Sequence, residues 1–291
     1  MRTRTFLAVI SLVFSSLIEA GCESNPQANA GIEGGHIKSE DPAMRGGGGK
    51  CGCERGRLES TVEDYLHAVK KGDIGKMPLA RDATYTENWV STPLGQGVWQ
   101  QPLPIAFHRS IFDVDTCQSF TEVIVTGGGH PYVIGTRLKV DDHRISEIES
   151  IVTDEGDWRF DANGYLTHDS AEDWGVLPAR HRPTRDQLLA AANAYYNVFM
   201  DNSVVVPWGD PCARLEGGQV YTDPTCNTDV PSGVPWTERH FVVDVDKGAI
   251  DGLALMFGTG GLPDSHLFRL TNGTIRYVHT LTICPIYNCG L

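Results

Sequence analysis

The chain repeats itself. "MPLARDATYTEN" (Met77 to Asn88) aligns with "VPWGDPCARLEG" (Val206 to Gly217), so that Pro78 meets Pro207 and Glu87 meets Glu216 at an offset of 129 residues. Farther along, "TRLKVDDHRISEIESIVT" from Thr136 aligns with "HLFRLTNGTIRYVHTLTI" from His266 at an offset of 130. An offset that persists over half the chain marks a duplicated unit, so any fold assigned to one half must also suit the other.

Each copy opens with helical periodicity and continues as strands. "ESTVEDYLHAVKKG" (Glu59 to Gly72) sets Val62, Tyr65, Leu66 and Val69 on one face, and "TRDQLLAAANAYYNVFMD" (Thr184 to Asp201) has similar spacing behind a capping Thr184. Strand-like runs follow: "QSFTEVIVT", "HPYVIGTRLKV" and "ISEIESIVT" in the first copy, "RHFVVDVD" and "AIDGLALMFG" in the second. A helix followed by a curved antiparallel sheet within about 110 residues is an α+β pattern. We therefore expect a first unit over 51–165 and a second over 166–291, each wrapping a sheet round a helix and leaving a pocket at its open end.

The second copy ends in "SHLFRLTNGTIRYVHTLTI", where Asn272-Gly273 between β-rich runs is a type I′ hairpin signal. A regular ladder from that turn pairs Leu270 with Ile275, Phe268 with Tyr277, and His266 with His279. These residues then share one apolar face with two imidazoles at its end, and Leu267, Arg269, Arg276, Thr280 and Thr282 take the wetter face. The paired histidines are either a satisfied core feature or a proton-transfer site.

"MRTRTFLAVISLVFSSLIEA" has Arg2 and Arg4 ahead of an apolar run and reads as a signal peptide over 1–20. Residues 21–50, rich in Gly, Ser, Asn and Pro, read as a disordered linker. No later segment is long and apolar enough to span a membrane. A formal net charge of −13 argues against nucleic acid as a partner. Eight cysteines in a secreted chain point to disulfides. Cys212 and Cys226 bracket a polar loop, Cys284 and Cys289 bracket "PIYN", and the "CGC" at Cys51 to Cys53 lacks the companion spacing of a structural zinc site. Asn272 heads an N-glycosylation sequon, Asn-Gly-Thr, at the exposed turn.

The segments "PLARDATYTEN", "FHRSIFDVDTCQSFTEVIV", "HPYVIGTRLKV", "IESIVTDEGDWRFDANGYL", "VPWGDPCARLEGG" and "GLPDSHLFRL" with "IRYVHT" carry a family resemblance over residues 53 to 283. The chain resembles secreted fungal proteins with tandem nuclear-transport-factor-2-like (NTF2-like, SnoaL-like) cone-shaped α+β barrels. The family, mostly of unassigned function, includes proteins that resemble the hetero-Diels–Alderases of tropolone-sesquiterpenoid biosynthesis. The resemblance implies the disulfides Cys53–Cys117 and Cys212–Cys226. It also implies a site among side chains pointing into a cone.

Four groups are candidates for that site. His266 and His279, with Phe268 and Tyr277 beside them, form the first. Tyr85 and Glu87 in "TYTEN" form the second, with a loop-tying ion pair as the alternative role for Glu87. The third is His108 and Arg109 with Glu122, whose carboxylate alternates with Phe120 and Ile124 on an apolar strand face and needs a cationic partner; either Arg109 is that partner, or His108 and Arg109 polarise a substrate oxygen. The fourth is Asp157 before Trp158, suited to a sugar or aromatic ring, to calcium, or to plain loop capping.

There is no GxSxG elbow, HExxH helix, phosphate-binding loop or dinucleotide fingerprint, and the glycines of "GTGG" read as a loop. The expected activity is therefore cofactor-free: a cyclase, dehydratase or isomerase acting on a small hydrophobic or aromatic substrate. In the hetero-Diels–Alderase form, His266, His279 or Asp157 assists loss of water from a hydroxymethyl tropolone, and a cyclic alkene captures the quinone methide. A non-catalytic small-molecule or glycan binder is the alternative.

Overall fold

The computed structural model describes residues 53–221, 226 and 230–290. The expected signal peptide and linker, with Cys22 and Cys51, lie outside these residues. Helix α1 (Arg55–Lys71) buries Leu58, Val62, Tyr65 and Val69 along one side, as a period near four residues requires. It covers a six-stranded sheet of β1 (Leu79–Glu87), β2 (Val90–Ser91), β3 (Phe107–Asp113), β4 (Gln118–Val125), β5 (Tyr132–Asp141) and β6 (Arg144–Thr153), in the order β2-β1-β6-β5-β4-β3. A short helix α2 (Ala162–Asp169) follows.

The pattern then recurs. Helix α3 (Arg185–Val198) starts in a capping box in which the Thr184 hydroxyl accepts from the Gln187 N–H and the Gln187 side chain returns the bond. It covers β7 (Trp208–Glu216), β8 (Gln219–Tyr221), β9 (Trp236–Asp244), β10 (Ala249–Met256), β11 (Leu262–Thr271) and β12 (Thr274–Thr282), in the order β8-β7-β12-β11-β10-β9. In both sheets the first long strand pairs in parallel with the last (β1 with β6, β7 with β12), and every other pairing is antiparallel. The molecule is thus two tandem α+β units, each with a helix packed on a six-stranded mixed sheet, as the repeat leads one to expect.

A third core lies between the sheets, built from Ile111, Phe120, Ile124 and Ile151 of one unit and Val242, Leu253, Leu267 and Leu281 of the other. The contact is reciprocal. Arg55 on α1 grips Asp244 of the second sheet through Nη2–Oδ2 at 2.8 Å and Nη1–Oδ1 at 3.1 Å. Arg185, 130 residues on, grips Asp113 of the first sheet at 2.7 and 2.8 Å. Asp244 also accepts from the Phe112 N–H, and Asp113 from the Val243 N–H. Such bidentate pairs, exchanged between equivalent positions, are the signature of a self-complementary interface, here within one chain.

The hairpin departs from the expected register. The turn is as read, with φ of 53° at Asn272 and 82° at Gly273, and Leu270 pairs with Ile275. The ladder then shifts: Arg269 pairs with Tyr277, Phe268 with Val278, Leu267 with His279 and His266 with Thr280. Arg276 is the extra residue of a β-bulge, and one extra residue moves everything beyond it to the opposite face. His266 and His279 therefore do not meet. The first unit carries a shift at the same place, between Lys139 and Val140 opposite Glu147 and Ile145. Nor is there a wet face. Leu267 and Arg269 are buried, because the face carrying Leu267 packs on the first sheet.

Candidate functional site

The two histidines face different surroundings. On one side of the second sheet, Asp264, His266 and Phe268 of β11 point at α3, where the Tyr195 ring lies 5.0 Å from that of Phe268. Between α3 and the sheet is a cavity of about 390 Å³, lined on its apolar side by Phe199, Trp236, Met256 and Leu262. Its polar wall is formed by Asp264, His266, Tyr195, Thr280 and the pair Arg214–Glu216. A concave, mostly apolar space of this size with a few convergent polar groups is the usual form of a small-molecule site.

The polar wall is an ordered array. Asp264 Oδ1 lies 2.5 Å from His266 Nδ1, while its other oxygen accepts from the Thr282 hydroxyl. His266 Nε2 is 3.1 Å from the Tyr195 hydroxyl. Arg214 acts on the same phenol and lies 3.3 Å from Glu216 Oε1. Burial pushes the Asp264 carboxyl above the usual range, against the opposing pull of His266 and the Thr282 bond. Burial likewise raises the Tyr195 phenol, with the positive charge of Arg214 opposing. Asp264 Oδ1 and His266 Nδ1 face each other, and beside them Thr280 Oγ1 is buried without a hydrogen-bond partner in the protein. Buried polar atoms are almost always satisfied, so an unpaired hydroxyl next to an Asp–His pair in a cavity wall calls for an explanation.

The first unit lacks this array. Tyr65 occupies the place of Tyr195, and its hydroxyl bonds Thr136, which stands at the repeat position of His266, at 2.9 Å. Ile134 stands where Asp264 would be. Trp99, 2 % exposed, fills the space, its ring edge-on to Tyr65 and Tyr85 at 5.9 and 6.4 Å. Glu87 accepts from the Tyr85 hydroxyl and from the Val98 N–H, so it ties the Trp99 loop to the sheet without a cation. Tyr85 and Glu87 hold this plug, whereas the repeat mate Glu216 stands in the second unit's cavity wall.

His279 sits on the other side of the second sheet, fully buried between the units. Its Nδ1 is 2.8 Å from Glu122 Oε2 and its Nε2 is 2.8 Å from Glu172 Oε2. Burial alone pulls this imidazole toward neutrality. The two carboxylates outweigh it and hold the pKa well above the ordinary value, so both nitrogens donate. Glu122 also accepts from Tyr165, and Glu172 from the Trp174 indole. The cation that Glu122 needs is thus His279. Arg109, directly opposite Glu122 in the ladder, instead pairs with Asp169 through Nε–Oδ1 at 2.6 Å. Burial raises the Asp169 carboxyl to about 6, against the opposing charge of His279. Glu122, Asp169 and His279 bring possible ligand atoms within 4.8 Å of one another, but both imidazole nitrogens are already taken by carboxylates. Glu149, the repeat position of His279, accepts from Arg137 within its own sheet at 2.6 Å and joins the units by pairing with His240 at 3.0 Å.

The remaining candidates are scattered. His108 is exposed on β3 and joins neither cluster. Tyr277 stacks on Trp174 at 5.8 Å, away from the cavity. Asp157 caps loops: its carboxylate accepts from the Cys284 and Asp154 N–H groups at 2.7 and 3.0 Å, while Trp158 beside it lines the cavity. Asn272 is exposed at the hairpin turn. Disulfides join Cys53 to Cys117, Cys212 to Cys226 and Cys284 to Cys289, a complement that belongs to an oxidising, secretory-type environment. Among the described residues no helix is long and apolar enough to cross a membrane. Asp264, Tyr195 and Thr280 were not among the sequence candidates. The repeat could have pointed to Asp264, since it replaces an isoleucine two residues before His266.

The profile of a family described as a domain of unknown function (DUF8021) matches residues 181–282, about a third of the chain and most of the second unit. No curated protein matches. Among solved structures, an NTF-2 like protein of unknown function from Burkholderia xenovorans LB400 aligns at 12% identity over 41% of this chain and 97% of its own, with a TM-score of 0.28. A candidate ketosteroid isomerase from Kribbella flavida DSM 17836 aligns at 14% identity over 43% of this chain and 85% of its own, with a TM-score of 0.25. Overlaps at these scores carry no argument about activity.

Proposed function

We propose that the chain is a cofactor-independent acid–base enzyme of the cyclase, dehydratase or isomerase type, with the helix-side cavity of the second unit as its site. The observation that carries this reading is the buried Asp264–His266–Tyr195 array set beside the unpaired Thr280 hydroxyl in an otherwise apolar cavity wall. A substrate oxygen placed there would give Thr280 Oγ1 its missing partner. His266, held by Asp264 at Nδ1, transfers the proton through the Tyr195 hydroxyl at its Nε2, and Arg214 stabilises charge developing on that oxygen. The apolar remainder of the cavity orients hydrocarbon.

In its most specific form the reaction is a hetero-Diels–Alder addition. Protonation of a hydroxymethyl tropolone at its alcohol oxygen releases water, loss of the ring hydroxyl's proton back to the Tyr195–His266 array leaves the neutral quinone methide, and a cyclic alkene such as humulene captures it in the cavity. Holding the two partners together supplies much of the rate, since oriented reactants gain about 7–11 kcal/mol over free encounter. We place the protein in a fungal secretory pathway, with residues 1–20 as its signal peptide and Asn272 glycosylated. Its net charge of −13 is unsuited to nucleic acid.

Incubating the purified protein with a hydroxymethyl tropolone and humulene should give one adduct enantiomer on chiral chromatography. A racemic adduct at the rate seen in buffer rejects the cycloaddition. Tight saturable binding without turnover of any enolisable or dehydratable probe would make the cavity a carrier site, the second reading that an apolar pocket supports.

A further inference from the structure

The mouth of the same cavity carries a residue that the proton-transfer array does not use. Phe257 lines the cavity yet is 55% exposed, and its φ is 69°. A bulky aromatic in the left-handed region is an outlier, and such strain persists only where surrounding structure enforces it, characteristically at ligand sites. The enforcement comes from the tight β10–β11 loop. The Gly261 N–H bonds the Gly258 carbonyl at 2.9 Å, and a Cβ on Gly261 would lie 1.8 Å from the Met256 carbonyl oxygen, so no other residue closes this turn. Trp158 and Tyr221 also line the cavity, where both carry the Arg159 guanidinium over their rings at 4.9 and 4.8 Å. The first unit, plugged by Trp99, has Thr126 and Gly127 in the corresponding loop.

We propose that Phe257 is a specificity-determining residue, a fixed aromatic door that selects ligands carrying a flat conjugated ring and stacks on that ring once it is inside. The inference rests on the cavity being the binding site, and it adds the ligand class: an unsaturated, planar ring toward the mouth with its oxygen directed inward to Asp264 and His266. Offset stacking on a rigid aromatic discriminates planar rings from saturated ones of equal size. A door held by a tight loop loses little entropy on binding, which is the advantage of keeping it strained.

The test uses 2-naphthol, a neutral planar fluorophore carrying a ring oxygen, titrated into the wild type and into Phe257→Gly, Phe257→Leu and Thr280→Trp, with cyclododecanol as a saturated competitor. The wild type should bind one equivalent. Phe257→Gly should bind at least tenfold more weakly while melting about 2–4 °C higher, because glycine accepts the positive φ. Phe257→Leu should weaken the planar probe and leave displacement by cyclododecanol unchanged. Thr280→Trp fills the cavity and should abolish binding. If Phe257→Gly binds as tightly as the wild type while Thr280→Trp blocks it, the cavity reading survives and the door does not. If Thr280→Trp still binds, the probe sits elsewhere and both fall. A wild type that binds cyclododecanol but not the planar probe overturns the ligand class.

Discussion

Replacing His279 by alanine should lower the stability of the folded chain by about 3–5 kcal/mol, the cost of leaving buried charge without its partner. Among the described residues the imidazolium is the only cation in contact with both Glu122 and Glu172, and it is fully buried. Arg109, whose charge also acts on Glu172, is engaged with Asp169. Without His279, both carboxylates must protonate or draw water into the seam between the sheets. The effect has a definite pH dependence. His279 has a folded pKa raised above its unfolded value of about 6.5, so its contribution is fully present below that value and is lost as pH rises through the folded pKa. The gap between wild type and His279→Gln, measured by urea unfolding, should be widest at pH 6 and narrow toward pH 9. A gap that widens with pH would contradict the charged assignment. Asp169, Glu122, Glu172, Tyr165 and Arg109 all face this imidazole, so the comparison must be a difference between the two proteins rather than one protein's profile.

The second large effect is catalytic. Asp264→Asn and His266→Gln should each lower kcat/KM for the tropolone substrate by about 10²–10⁴-fold, the range supplied by a positioned acid–base group. If the two act as one unit, the double variant should be hardly worse than either single one. Because burial holds the Asp264 carboxyl above its usual range, the acidic limb of the rate profile should lie above that of an ordinary aspartate and vanish in Asp264→Asn. His279→Gln, on the other side of the sheet, should leave turnover per folded molecule within a few-fold of wild type. Equal losses from His266 and His279 variants would mean that the seam, not the cavity, carries the chemistry.

The sequence made the duplication, the two long helices, the hairpin turn and most of the strands legible, because each is a local or periodic signal. It did not reveal the bulge at Arg276, since a bulge answers to twist and packing and leaves no dipeptide signature of its own. That single residue decides which histidine enters the cavity, so the predicted meeting of His266 and His279 failed for a physical reason. Helix α2 was also missed. "ANGYLTHD" has little amphipathic pattern, yet it supplies Tyr165 and Asp169 to the seam between the units. Glu122 was correctly seen to need a cation, but the partner is 157 residues away in the other unit, a separation that pairing rules within one strand ladder cannot bridge. Asp264 escaped notice because its meaning lies in the comparison with Ile134, where the duplicated unit kept an apolar residue.

The most direct test of the whole account is the response of the imidazole nitrogens to a ligand. In ¹⁵N–¹H spectra assigned with His266→Gln and His279→Gln, addition of tropolone should move the Nε2 and Nδ1 signals of His266 and leave those of His279 in place. Movement of His279 with His266 unchanged, or of neither under saturating binding, would contradict the assignment of the second unit's cavity as the working site.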